Sequence, residues 1–191
     1  MSSGYLAEPA TLLINVVLGL YISMVMLRFL FQLVRADFYN PLCQGIVAVT
    51  DLLLRPLRRI VPGLRGIDIP SVVLMLTLQM LELWLKAMVI GFAPELVWLL
   101  VMAIGELLRL ALYIFIGAIF IQVIISWISP GAYNPMTQLL YSLSRPVLKP
   151  ARAVVPPLGG LDFSPVVALV GLQLINMLLV KPIFVVANGL L

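Results

Sequence analysis

Hydrophobic residues run along this chain in four long blocks, separated by shorter segments in which apolar and polar positions alternate with a helical period. The blocks are Ala10–Val34, roughly Pro70–Phe92, roughly Leu107–Ile128 and roughly Pro165–Asn188. A helix rises 1.5 Å per residue, so about 20 apolar residues cross the roughly 30 Å hydrocarbon layer of a bilayer. Each block meets that length and predicts a transmembrane helix. The apolar run from Glu95 to Ile128 is too long for one crossing, and Glu106 and Arg109 interrupt it. Leu96–Ile104 is too short to span alone. Segment 93–106 therefore reads as a linker carrying an extra interfacial or re-entrant piece near 95–105, with a tilted fifth helix as the alternative.

The pattern occurs twice. With a constant offset of 94 and no gap, Asn40-Pro41 falls on Asn134-Pro135, Arg55-Pro56 on Lys149-Pro150, Arg58 on Arg152 and Val61-Pro62 on Val155-Pro156. Gly66-Ile67-Asp68 falls on Gly160-Leu161-Asp162, Val72-Val73 on Val166-Val167, and Leu78-Gln79 on Leu172-Gln173. Each copy is one structural unit. Repeat 1 spans 10–92, with crossings at 10–34 and 70–92 around an amphipathic loop at 40–65. Repeat 2 spans 107–188, with crossings at 107–128 and 165–188 around a loop at 134–160. Two tandem units of this kind run parallel, related by an axis along the membrane normal. The expected fold is an all-α integral membrane protein of about four transmembrane helices, with both termini on one side and both long loops on the other.

Composition agrees with that class. Hydrophobic residues make up 63% of the 191 and charged residues only 10%, against about 45–50% apolar in soluble domains. Mean hydropathy is +1.16. No Lys or Arg precedes the first block, only Glu8. A cleaved signal would carry a positive start, so this block is expected to remain as an anchor.

The formal net charge is +4, and its distribution matters more. Loop 35–69 carries Arg35, Arg55, Arg58, Arg59 and Arg65, and loop 129–164 carries Arg145, Lys149 and Arg152, eight of the twelve cations. The bias of Lys and Arg toward cytoplasmic loops puts both loops inside and both termini outside. Cys43 is the single cysteine and is expected to stay reduced there, unlabelled by a membrane-impermeant maleimide applied to intact cells.

Both loops are amphipathic. Leu42, Ile46, Val49, Leu53, Leu57 and Ile60 recur at steps of three and four, with Gln44, Asp51, Arg55 and Arg58 on another face. Asp51 is placed to pair with Arg55. Pro56 predicts a helix ending near Leu54 and a short second turn. In the second loop Met136, Leu139, Leu140 and Leu143 are apolar, and Pro146 and Pro150 punctuate. Arg55, Arg58, Arg59, Arg145, Lys149 and Arg152 are candidates for binding lipid headgroups or a protein partner. The alternative is that these cations only set topology and snorkel. The loops lack interleaved aromatics, which argues against nucleic acid. Asp68 and Asp162 precede the next helices and read as N-terminal capping groups, without a catalytic role.

Gln79, Gln173, Glu82 and Lys86 are polar groups inside the predicted crossings. Gln79 and Gln173 are repeat-related and near the midplane. Either they pair across the symmetry axis, or each caps a group on a neighbouring helix. Glu82 and Lys86, four apart, form a candidate intramembrane pair; Glu106 and Arg109 form another local pair. The counterparts of Glu82 and Lys86 are Asn176 and Val180, so the charge pair is not part of the duplicated unit.

The chain contains no histidine and one cysteine. No His-based metal site, His-base triad, Cys-rich zinc site or paired-thiol motif can be built from it. No Gly-rich phosphate loop follows a strand. No enzyme activity and no cofactor are expected.

The ordered set of Asn-Pro, Arg/Lys-Pro with Arg, Val-Pro, Gly-Ile/Leu-Asp and Leu-Gln, present twice, resembles the YggT family of small bacterial membrane proteins, which has plastid relatives. The resemblance covers about 10–92 and 104–188. Repeat 1 departs from the family's usual Ser-Pro, reading Ile69-Pro70-Ser71. The resemblance implies links to osmotic tolerance and potassium uptake in bacterial members. In plastid and Gram-positive relatives it implies links to haem attachment on a b-type cytochrome, or to cell division and nucleoid organisation. Lacking His, this chain is a poor direct handler of haem. The expected role is a non-enzymatic inner-membrane scaffold or accessory protein, engaging membrane lipids and a membrane-protein partner or a second copy of itself. The alternative is a small ion or solute transport component using Gln79, Gln173 and Glu82.

Overall fold

The computed structural model describes residues 3–63, 66–129, 131, 133–155 and 162–190. Pro156, Gly160 and Leu161 of the second repeat and the cation Arg65 lie outside the described residues. Among the described residues there are seven α-helices: α1 Ser3–Leu33, α2 Pro41–Ile60, α3 Ile69–Val89, α4 Leu96–Ile128, α5 Pro135–Val154, α6 Ser164–Ile175 and α7 Lys181–Asn188. A π-helical turn, Asn176–Val180, joins α6 to α7 without a break in the rod. Pro182 explains it: proline has no N–H for the ladder and its ring crowds the preceding turn, so the helix widens there.

Among the described residues four rods are long and apolar enough to cross a membrane: Leu6–Leu33, Ile69–Val89, Leu96–Ile128 and Ser164–Asn188. They form the bundle, and α2 and α5 are the amphipathic connectors of the two repeats. The connectors meet at one end of the molecule, where the Asn40 side-chain amide donates to the Pro135 carbonyl at 2.7 Å. That contact joins the two Asn-Pro motifs and fits parallel repeats.

The main core is built by Ile22, Val25, Met26 and Leu30 of α1, Met75 of α3, Leu107 and Ala118 of α4, and Leu139, Leu140 and Leu143 of α5. A smaller cluster joins Ile119, Leu148, Ala151, Ala168 and Leu172 in the second repeat. Within lipid such contacts hold helices together by close packing rather than by escape from water. Gly105 shows the effect: a Cβ there would lie 2.8 Å from the Phe184 ring, so its absence lets α7 lie against α4.

Three sequence expectations are corrected. Leu96–Ile104 is neither re-entrant nor a separate helix; it forms the first turns of α4, continuous with the third crossing. Glu106 and Arg109 do not break the rod because they satisfy each other at 2.5 Å across one turn. Nor does α2 stop near Leu54; it continues through Pro56 to Ile60. Pro56 sits on the exposed side, where the carbonyl it leaves free can be solvated. Finally, the face of α2 against the bundle is Cys43, Thr50 and Leu54, all buried. The predicted stripe is turned partly outward, with Leu42, Val49, Leu53 and Ile60 exposed. In α5 the predicted Leu139, Leu140 and Leu143 are buried, while Met136 is exposed.

Candidate functional site

Each connector helix starts the same way. Asn40 caps α2, its side-chain oxygen accepting from the Leu42 amide at 3.0 Å. Asn134 caps α5 by accepting from the Thr137 amide at 2.9 Å, and the Thr137 hydroxyl accepts from the Asn134 amide in return. Pro41 and Pro135 follow as the first helical residues, where no N–H is needed. The repeated Asn-Pro is therefore a helix start. Reading Asn before Pro as a cap would have found it.

Each connector also ends the same way. Arg58 donates to Asp68 at 2.5 Å and Arg152 to Asp162 at 3.1 Å. Both pairs span ten residues and are related by the offset of 94. Each ties the end of an amphipathic helix to the start of the next crossing. Asp68 sits at the N-cap of α3, but its carboxylate binds Arg58 and the Ser71 hydroxyl rather than a free amide; the pure capping expectation is corrected for this residue. Asp162, one residue before the N-cap Phe163 of α6, accepts the Ser164 amide at 2.9 Å. Burial pushes the Asp68 carboxyl up, yet the Ser71 and Arg58 hydrogen bonds outweigh it and hold it below the usual carboxylate range. Asp162 is also held low, chiefly by Ser164, with Arg152 assisting against slight burial.

A third repeat-related contact joins each first crossing to its connector. Arg28, buried, donates to the Thr50 hydroxyl and to Asp51, each at 2.7 Å. Asp51 thus pairs with Arg28, not with Arg55. In repeat 2 the matching residues are Gln122, Ser144 and Arg145, and the Ser144 hydroxyl hydrogen-bonds Gln122. Of the six predicted surface cations, Arg58 and Arg152 are engaged in ion pairs. Arg55, Arg59, Arg145 and Lys149 are exposed and form none among the described residues.

Within the bundle, α1, α3 and α4 border a partly open cavity of about 360 Å³ whose lining includes Asn15, Ser23, Gln79, Glu82, Lys86, Glu106, Arg109 and Tyr113 beside apolar Ile22, Leu83 and Leu110. Lys86 bonds Glu82 one turn before it and reaches the Asn15 side chain at 2.9 Å. The Gln79 amide donates to Glu82 at 3.3 Å. Glu82 and Gln79 are buried, and the two ion pairs leave the cavity electrically balanced. The structure brings Gln79, Glu82 and Lys86 together as a cluster but leaves Gln173 out. Gln173 is exposed on α6, so neither a Gln79–Gln173 pair nor a matched set of caps exists. The offset made the two glutamines look equivalent. The flanking helices make them different: α1 and α4 cover Gln79 with polar side chains, whereas α6 turns Gln173 outward.

The duplication decides the family. A family model described as CCB3/YggT matches residues 7–89 and, again, 101–183. The two matches begin 94 residues apart, the spacing of the paired contacts above. The chain belongs to the CCB3/YggT family. An uncharacterised protein of Pseudomonas aeruginosa is 46% identical over 165 residues, covering 85% of this chain and 84% of the relative. The uncharacterised YggT of Escherichia coli K12 is 33% identical over 181 residues, 95% of this chain and 94% of the relative. A protein of Vibrio alginolyticus is 34% identical over 172 residues, 87% and 91% of the two chains. No solved structure matches. As a CCB3/YggT protein the chain is an internally repeated membrane protein. The first match covers most of α1 and all of α2 and α3, and the second most of α4, all of α5 and α6 and the start of α7.

Proposed function

We propose that this CCB3/YggT protein is a non-enzymatic accessory protein of the bacterial inner membrane, presenting two surface helices to lipid and to a protein partner. The observation that carries the reading is the repeated Arg–Asp pin, Arg58–Asp68 and Arg152–Asp162. It fixes each amphipathic helix to the bundle while Arg55, Arg59, Arg145 and Lys149 remain exposed. A rigid scaffold with cations at fixed positions suits docking onto an anionic leaflet. The cation bias supports a cytoplasmic position for α2 and α5, with both termini outside. Gln173 supports a further contact within the membrane: an amide near mid-bilayer depth on an outward face is best satisfied by a partner helix or a second copy. The link to osmotic tolerance belongs to the same reading, as an adaptor for a membrane complex. The test is purification in mild detergent after expression at low and high osmolarity. Partner recovery that falls in Arg55→Gln/Arg59→Gln, or oligomers lost in Gln173→Leu, supports it. A strictly monomeric protein whose recovery of partners is unchanged in both variants overturns it.

The balanced polar cavity favours a second reading, a small transport component that passes an ion or polar solute between α1, α3 and α4. Reconstituted vesicles separate the two. Potassium or solute flux that vanishes in Glu82→Gln/Gln79→Leu supports transport, and no flux above protein-free vesicles rules it out for this chain alone.

A further inference from the structure

The two repeats share a backbone plan but differ in charge where the first crossing meets its connector, and a cleft stands there in repeat 2. In repeat 1, Arg28 fills the gap between α1 and α2 and is neutralised by Asp51. In repeat 2 the corresponding residues are Gln122 and Arg145, so the internal guanidinium is gone and the anion is replaced by a cation. A cavity of about 420 Å³ stands there, with Gln122 and Ser144 among its lining residues together with Arg145, Lys149 and Arg152. These three cations follow one another at steps of four and three along one face of α5. Among the described residues only Arg152 meets a carboxylate, Asp162. The volume suits a small ligand, and the charge suits an anion.

The cleft does not end there. A second cavity of about 620 Å³ shares Gln122, Tyr141, Leu148 and Arg152 with the first, and its further walls include Ile119, Val123, Phe163 and Val166 of α4 and the start of α6. Trp127 and Tyr141, both exposed, stand in its walls, and such aromatic rings favour headgroup depth. A cationic end joined to an apolar slot between membrane-spanning helices matches a molecule with an anionic head and a hydrocarbon tail. We infer that the cleft between α4, α5 and α6 is a binding site for one anionic phospholipid. Its phosphodiester meets Arg145 and Lys149 at the Gln122–Ser144 floor, and one acyl chain lies along Val123, Phe163 and Val166. The inference rests on the reading that α5 lies at the membrane surface, and narrows it from general attraction to one built site in the second repeat.

The test uses the full chain in mild detergent, titrated with phosphatidylglycerol or phosphatidylcholine, with retained lipid counted by native mass spectrometry. Wild type is expected to retain one phosphatidylglycerol in preference to phosphatidylcholine. Arg145→Gln/Lys149→Gln lowers that affinity by about thirtyfold, as the loss of two near-surface cations predicts, while Arg55→Gln/Arg59→Gln changes it less than about twofold. Gln122→Arg/Arg145→Asp, which rebuilds the arrangement of repeat 1, keeps the fold and abolishes retention. Equal losses in the two double-glutamine variants would mean diffuse attraction and overturn the site while leaving the surface reading intact. No loss in any variant overturns both. Displacement of the lipid by millimolar inorganic phosphate would make the cleft a soluble-anion site and overturn the lipid assignment.

Discussion

Replacing Arg58 by Met removes the guanidinium from a carboxylate that has little other company. Asp68 is 6% exposed, and its remaining partner is the Ser71 hydroxyl at 2.6 Å. Breaking a buried ion pair from one side costs about 3–5 kcal/mol, because the other charge stays buried. The Arg58 side chain is itself 38% exposed, so water can partly take its place, and about 2–3 kcal/mol is the expected loss. The repeat supplies its own control. In Arg152→Met the same contact is broken where the two side chains are 52% and 37% exposed, and a surface pair is worth at most about 1 kcal/mol. Reversible unfolding in mixed micelles on addition of SDS, followed by circular dichroism, measures both. Arg58→Met/Asp68→Asn should recover most of the loss, since no buried charge remains. Equal costs for Arg58→Met and Arg152→Met, or a double variant no better than Arg58→Met alone, would refute the argument from burial. The pH dependence has a definite sign. The folded Asp68 carboxyl titrates below its ordinary value of 3.8, so its stabilisation is fully present above that value and is lost as pH falls through the lowered one.

Four further outcomes follow from single residues. Gly105→Ala should destabilise the bundle by about 1 kcal/mol, the ring clash with Phe184 exceeding the gain in helix propensity, and Phe184→Leu should relieve it in the same unfolding assay. Cys43 is fully buried and burial raises its thiol pKa, so maleimide should leave it unlabelled from either side until the protein is unfolded. The expected absence of labelling therefore says nothing about sidedness. Tyr39, 90% exposed, is the position that does: Tyr39→Cys in a Cys43→Ser background should react only from the cytoplasmic side, and labelling of intact cells would reverse the orientation. Lys86→Met should cost about 3 kcal/mol by stranding Glu82, with Lys86→Met/Glu82→Gln less affected on SDS unfolding.

The amino-acid sequence by itself determined the class of the protein, its duplication and the identity of its spanning segments. These depend on run length and on residue spacing, which are properties of the chain in one dimension. The local pair Glu82–Lys86 was legible for the same reason, since one helical turn brings the two residues together without help from the rest of the fold. Tertiary structure decided which face of α2 turns inward: Cys43, Thr50 and Leu54 are buried, with Thr50 bonded to Arg28 of α1, while Leu42, Val49, Leu53 and Ile60 stay exposed. It decided that α4 is one rod, since Glu106 and Arg109 neutralise each other and α7 covers Gly105. It separated Gln79 from Gln173, and Arg58 and Arg152 from the cations left free. The last distinction depends on which carboxylates the chain brings back from ten or more residues away. That is set by how the start of α3 returns to the end of α2, and the start of α6 to the end of α5, and no local period in the sequence encodes it.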